Sequence, residues 1–139
     1  ARGRQSESTS DVRLKSVLED VINLISHELS RKGIHLQVQI EGDFTVRAEA
    51  GPLGQVFLNL LVNAIHAIEE IKTGRPGEIS IVATKSGKDA TVSIRDTGVG
   101  ISEKNLSRLF QPFFTTKDIG LGTGLGLATS YKLVHSWGG

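Results

Sequence analysis

The sequence predicts an α/β fold in which helices cover one face of a largely antiparallel sheet. Three observations carry that expectation. Apolar residues recur at helical spacing from Asp11 to Gly33 and again through the aliphatic run Gln55–Ile68. A pair of short, β-rich segments follows each of these helices. A last apolar stretch, Leu125–Ser136, comes after a glycine-rich loop and completes the order helix, two strands, helix, two strands, loop, helix.

Each element has its own local reason. Ala1–Ser10 is polar and rich in Ser and Arg, as a flexible lead-in would be. From Asp11 the positions Leu14, Val17, Leu18, Val21, Ile22, Ile25 and Leu29 form one apolar stripe, with Ser10 or Asp11 as N-cap and Gly33 as stop. Ile34, Leu36, Val38 and Ile40 alternate with polar residues, the pattern of a half-buried strand. Glu41-Gly42-Asp43 turns the chain into a short strand at Phe44–Arg47. Gly51-Pro52 opens the long central helix, and the TGRPG run at 73–77 breaks it. Ile79–Ala83 and Ala90–Arg95 are strands joined by the hairpin turn Ser86-Gly87-Lys88-Asp89. A short helix at Glu103–Leu109 precedes the phenylalanine-rich FQPFFTTK run.

Composition narrows the function classes. A chain of 139 residues supports one core rather than two, and 38% hydrophobic with 22% charged residues is ordinary for a soluble domain. A net charge of +1 argues against general attraction to nucleic acid or an anionic membrane. Without cysteine there is neither a disulfide framework nor a thiolate metal site. No apolar run has the length of a membrane span, and the basic start lacks the apolar core of a signal peptide, so a cytoplasmic domain is expected.

Chemistry concentrates in three places. On the central helix Asn59, Asn63, His66 and Glu70 stand at i, i+4, i+7 and i+11, which makes one polar stripe on an otherwise apolar helix. Each amide buried without a partner would cost about 1–3 kcal/mol. The stripe therefore either faces loop backbone and water or faces a polar ligand. Asp96 ends a strand and enters the glycine turn DTGVG, where it can close the turn or accept a hydrogen bond from an exocyclic amine. The glycine run from Gly120 to Gly126 offers free backbone N–H groups before a helix N-terminus, which suits phosphate oxygens. It comes too late in the chain for a dinucleotide-binding glycine loop, and it lacks the Gly-Lys-Ser/Thr of a P-loop.

These motifs occur in a fixed order, and in that order the chain resembles the catalytic, ATP-binding domain of a bacterial sensor histidine kinase, of the superfamily shared with gyrase B, Hsp90 and MutL. Asn59–Ala67 matches the N box, Asp96–Gly100 the first glycine box, Phe110–Phe114 the F box and Gly122–Gly126 the second glycine box. The resemblance implies a two-layer Bergerat-type fold with a mixed, largely antiparallel sheet. It implies ATP and Mg²⁺ as cofactors, with Asn63 and Asn59 holding the metal. Asp96 would bind the adenine amino group, and Gly98, Gly100 and Ile101 would shape the adenine wall. His66 and Ala67 close the N box; His66 stands where many members carry Lys or Arg directed at the phosphates. Phe110 to Gly122 would be a lid with Lys117 at the γ-phosphate, and Thr123, Gly124, Leu125 and Gly126 would complete the phosphate cradle. Asn59, Asn63 and Lys117 are the residues expected to serve catalysis.

The same resemblance sets the activity. ATP-hydrolysing relatives carry a glutamate at position 59 that activates water; Asn59 cannot accept a proton, which favours transfer of the γ-phosphoryl group to a histidine. That acceptor would lie on a dimerisation domain upstream of Ala1, with a response regulator as the next recipient, in a soluble or membrane-anchored homodimeric parent. The fragment itself is expected to be monomeric and to bind no nucleic acid. Ser26-His27-Glu28-Leu29 imitates a phosphoacceptor motif, but it lacks the proline and falls on the first helix of the domain. Residues 11–139 are expected to form the catalytic domain without its last hairpin, since the family pattern continues beyond the position of Gly139. Two other readings are a serine/threonine-directed kinase like the anti-sigma factors and a nucleotide-sensing module without turnover. The lid-length F box and GTGLGL favour the histidine kinase.

Overall fold

A computed structural model describes residues 9–71, 74–100 and 126–139. Among them the order is β1 (Ser10–Arg13), α1 (Leu14–Arg31), β2 (His35–Ile40), β3 (Thr45–Ala48), α2 (Ala50–Glu69), β4 (Glu78–Ser86), β5 (Asp89–Asp96) and α3 (Gly126–Ser136). The central sheet has the order β2-β4-β5, with β2 parallel and β5 antiparallel to β4. β1 and β3 form a separate antiparallel pair. The mixed sheet with a helical layer is the expected fold. The proposed helix at 103–109 and the FQPFFTTK run lie outside the described residues.

One local expectation is corrected. The apolar stripe suggests a helix from Asp11, whereas Ser10–Arg13 is extended and pairs with Thr45–Ala48. Val12 is buried by that pairing, and the first helical N–H, that of Leu14, donates to the Phe44 carbonyl at 3.1 Å. The neighbouring strand end thus takes one of the donors that a Ser10 or Asp11 cap would have satisfied, and no side chain caps the helix. β2 and β3 are sequence neighbours but not partners. Gly42, at φ +91°, redirects the chain so that β3 joins β1. β4 then reaches the side of β2 after the crossover through α2, the kind of long connection a parallel pair requires.

Strand alternation decides where the core lies. Ile79, Ile81 and Ala83 are fully buried on one face of β4, whereas Ser80, Val82 and Thr84 on the other are only half-buried. Leu14, Leu18, Val21, Ile25 and Leu29 of α1 and Leu53, Phe57, Leu61 and Ile65 of α2 complete that core. Gly33, at φ +68°, ends α1 in the conformation that favours glycine. The Lys32 ammonium then meets Glu69 at the C-terminal end of α2, 2.5 Å away. Arg13 pairs with Asp43 across the β1 junction and holds the Asp43 carboxyl below the usual carboxylate range.

Leu61 is fully buried on the same helix as the asparagine stripe. Leu61→Ala should destabilise the domain by about 2–5 kcal/mol, the range for deleting a buried leucine side chain, measured by urea unfolding of the isolated chain. A loss under about 0.5 kcal/mol, the size of an ordinary surface effect, would contradict this core assignment.

Candidate nucleotide site

α2 divides its surface between two tasks. Leu53, Val56, Phe57, Leu61, Ala64 and Ile65 are buried. Asn59, Asn63, His66 and Ala67 are half-buried along the adjoining stripe. Contrary to the expectation from the sequence, one helix, Ala50–Glu69, is long and apolar enough to pass for a membrane span by length and composition, yet it packs between α1 and α3 and against β5. Its polar stripe is therefore a deliberate break in an apolar helix, and each amide on it needs a partner.

Asn59 has two. Its Oδ1 accepts from Gln55 Nε2 at 3.0 Å, one turn earlier on α2. Its Nδ2 donates to the hydroxyl of Ser130 on α3 at 3.3 Å. A Cβ built on Gly126 would lie 3.9 Å from the Asn59 amide, so the start of α3 also borders this residue.

The other wall comes from the end of β5. Thr97 ties the turn to the start of β4 twice: its N–H donates to Glu78 O at 3.2 Å, and its hydroxyl accepts from Glu78 N–H at 3.0 Å. Asp96 Oδ1 accepts from Gly98 N–H at 2.7 Å, closing the turn. Val99 N–H then donates to Ala67 O at 3.2 Å, which fastens the turn to α2. A Cβ on Gly98 would come within 2.5 Å of the Ala67 carbonyl carbon and Cβ, so only glycine lets the two backbones approach this closely. Gly100, at φ +77°, takes the chain out of the turn.

The turn reading and the binding reading of Asp96 are compatible. One carboxylate oxygen closes the turn, and the side chain remains exposed with acceptor capacity to spare. Anchoring on both sides fixes its direction before any ligand arrives.

The structure thus places Asn59, Asn63, His66, Ala67, Asp96, Gly98, Gly100 and Gly126 around α2. Ile101, Phe110, Lys117, Gly122, Thr123, Gly124 and Leu125 lie outside the described residues. Sequence reasoning did not find Gln55 and Ser130, the partners of Asn59. Gln55 stands at i−4 and extends the stripe, a signal that was available. Ser130 follows Gly126 by one helical turn, which was the weaker hint.

Residues 48–139, more than half of the chain, match the family model for histidine kinase-, DNA gyrase B- and HSP90-like ATPases. The chain belongs to this family. Sensor histidine kinase ZraS of Salmonella typhimurium is 38% identical over 130 residues, covering 92% of this chain and 26% of that protein. Sporulation kinase A of Bacillus subtilis is 30% identical over 137 residues, 98% of this chain and 22% of the kinase. The chain therefore spans about a quarter of the curated kinases it matches. The catalytic domain of histidine kinase ThkA superposes with a TM-score of 0.80 at 29% identity, over 93% of this chain and 81% of that one. Full-length ShkA in complex with AMPPNP gives 0.77 at 29% identity, over 94% of this chain and 27% of ShkA. The expected likeness to histidine-kinase catalytic domains is confirmed in both sequence and fold.

Gly98→Ala should push the Asp96 turn off α2, because its new methyl group would meet backbone rather than a yielding side chain. The expected cost is about 1–3 kcal/mol of stability by chemical denaturation, with loss of hydrogen-exchange protection at Val99 N–H. Unchanged protection at that amide would show that the close approach does not hold the turn.

Proposed function

We propose that this chain is the ATP- and Mg²⁺-binding catalytic domain of a two-component sensor kinase. In this reading it presents the γ-phosphoryl group to a histidine on a separate dimerisation domain. The observation that carries the proposal is the double anchoring of the Asp96 turn, on β4 through Thr97 and on α2 through Val99, beside the amide stripe. Asp96 receives the adenine amino group from a turn that Gly98 lets sit closely against α2. The phosphates then run toward Asn63 and Asn59, with His66 as a lesser partner that gains charge when protonated.

The residues present suit Mg²⁺. Among the described residues no three His, Asp or Glu side chains converge on one point. The α2 amides supply neutral oxygen donors, and Mg²⁺ takes such donors together with phosphate oxygens and water. Bound there, the ion would neutralise phosphate charge during transfer. Asn63 would be its principal protein ligand, with Asn59 beside it.

Transfer fits better than hydrolysis because a carboxamide cannot take a proton from water. Asn59 can orient but cannot activate. ThkA has been solved in complex with the response regulator protein TrrA, and its chain superposes on this one with a TM-score of 0.68 at 27% identity, over 81% of this chain and 33% of ThkA. By that likeness we assign the phosphohistidine's onward recipient to a response regulator; a cytoplasmic location is part of the same proposal. Lys117 at the γ-phosphate and a lid over residues 110–122 belong to the same proposal, as does a monomeric fragment within a homodimeric parent.

The test is calorimetric titration with a non-hydrolysable ATP analogue, with and without Mg²⁺. The wild-type chain should bind at micromolar to sub-millimolar Kd, on the order of −8 to −4 kcal/mol, and more tightly with Mg²⁺. Asp96→Ala should abolish binding under both conditions. Asn63→Ala should retain Mg²⁺-free binding and lose most of the Mg²⁺ effect. Wild-type binding by both folded variants would refute the site assignment.

A further inference from the structure

We propose that Ser130 is a positioning residue whose hydroxyl tethers the Asn59 carboxamide to α3, so that the polar face of α2 depends on the seating of that helix. The inference rests on reading that face as the side that meets Mg²⁺ and phosphate, and it assigns a role to a residue outside the motifs.

Ser130 is 5% exposed and is the buried polar residue among the described ones. A serine at such a depth on an amphipathic helix commonly returns its hydroxyl to its own helix backbone. Here Ser130 Oγ accepts from Asn59 Nδ2 on α2, 71 residues away in sequence. A serine hydroxyl can donate or accept, so it fixes where the amide stands rather than which end faces it. On a surface meant for a cation, that place sets the reach of the amide oxygen.

Two contacts hold Asn59 in place, and they report different things. Gln55 lies on the same helix, so its hydrogen bond survives whatever α3 does. Ser130 comes from α3, and only this bond makes the amide sensitive to that helix. Gly126, one turn earlier on α3, borders the same amide, since a Cβ built there would lie 3.9 Å from it. Gly126 also ends the glycine run Gly120–Gly126 in the sequence. Seating of α3, the position of Asn59 and the end of the glycine run are therefore joined through one side chain.

The experiment compares the wild-type chain with Ser130→Ala and Ser130→Thr, all first shown to be folded by circular dichroism; Ser130→Cys replaces the alanine variant if that one unfolds. Two readouts are taken. The first is the ratio of Kd for a non-hydrolysable ATP analogue without and with Mg²⁺. Ser130→Ala should reduce this ratio at least fivefold while leaving the Mg²⁺-free Kd within twofold, and Ser130→Thr should restore it to within twofold. A parallel loss of affinity in both conditions would mark Ser130 as merely structural and overturn the proposal. So would an unchanged ratio. The second readout is the ¹⁵N-resolved Asn59 side-chain amide in the nucleotide-free protein. Its two proton signals should shift and exchange faster with solvent in Ser130→Ala but not in Ser130→Thr; no change would again overturn the proposal. A wild-type chain without any Mg²⁺-dependent binding would instead refute the site reading, and the Asn59 amide signals would still decide whether Ser130 holds that side chain.

Discussion

Everything in this domain depends on α2 being held firmly along two faces at once. Its apolar face is the centre of the core, with Leu61 fully buried and Phe57 and Ile65 nearly so. Its adjoining stripe carries Asn59, Asn63 and His66 at a depth where an unmatched amide would cost about as much as a lost buried hydrogen bond, 1–3 kcal/mol. Core burial fixes the helix in rotation, and that rotation fixes where the amides point. A small twist of α2 would expose apolar side chains and bury the amides further, so the core and the site enforce the same orientation.

The remaining elements are placed around that helix. β4 presents its three fully buried residues, Ile79, Ile81 and Ala83, to the core. Because β5 pairs with β4 in register along its whole length, its last residue, Asp96, is delivered opposite Ile79 at a fixed point. The Thr97 and Val99 hydrogen bonds then carry that precision from the sheet to α2. Gly98 is the place where this arrangement is least tolerant, since the turn and the helix touch backbone to backbone. Loops that bind ligands are usually the less stable parts of a fold. Here the turn borrows its order from a strand on one side and a helix on the other.

How much of this could be read from the sequence follows from the range of the interactions. The stripe on α2 was legible because helical periodicity is local, and the same holds for the β4–β5 hairpin and the Asp96 turn. β1 was not legible: four residues beside a strong helical stripe became a strand because a distant segment, Thr45–Ala48, offered backbone partners. Propensity yields to pairing there. The parallel register of β2 and β4 was not legible either, since it depends on a crossover through α2 rather than on a local pattern. Ser130 was invisible because a lone serine on an apolar helix has many ordinary explanations, and its partner stands 71 positions away. The F box and most of the second glycine box lie outside the described residues, so their expected roles rest on the motif match alone.

The identity of residue 59 ties these points to the proposed chemistry. A kinase whose acceptor lies on another domain must hold its nucleotide for as long as that domain takes to arrive. Water reaches the site far more often than the acceptor does, so the site must avoid helping water. A carboxamide at position 59 has no basic atom to lend, and its two ends are already engaged by Gln55 and Ser130. A glutamate in the same seat would face Ser130 and Gln55 as an acceptor only, and would keep spare lone pairs for a water molecule. The seat would take a glutamate as well, since the Gln55 amide and the Ser130 hydroxyl can both donate to a carboxylate. In the proposed reading the restraint against hydrolysis therefore lies in the choice of residue 59, and the packing of α3 on α2 holds that residue in place.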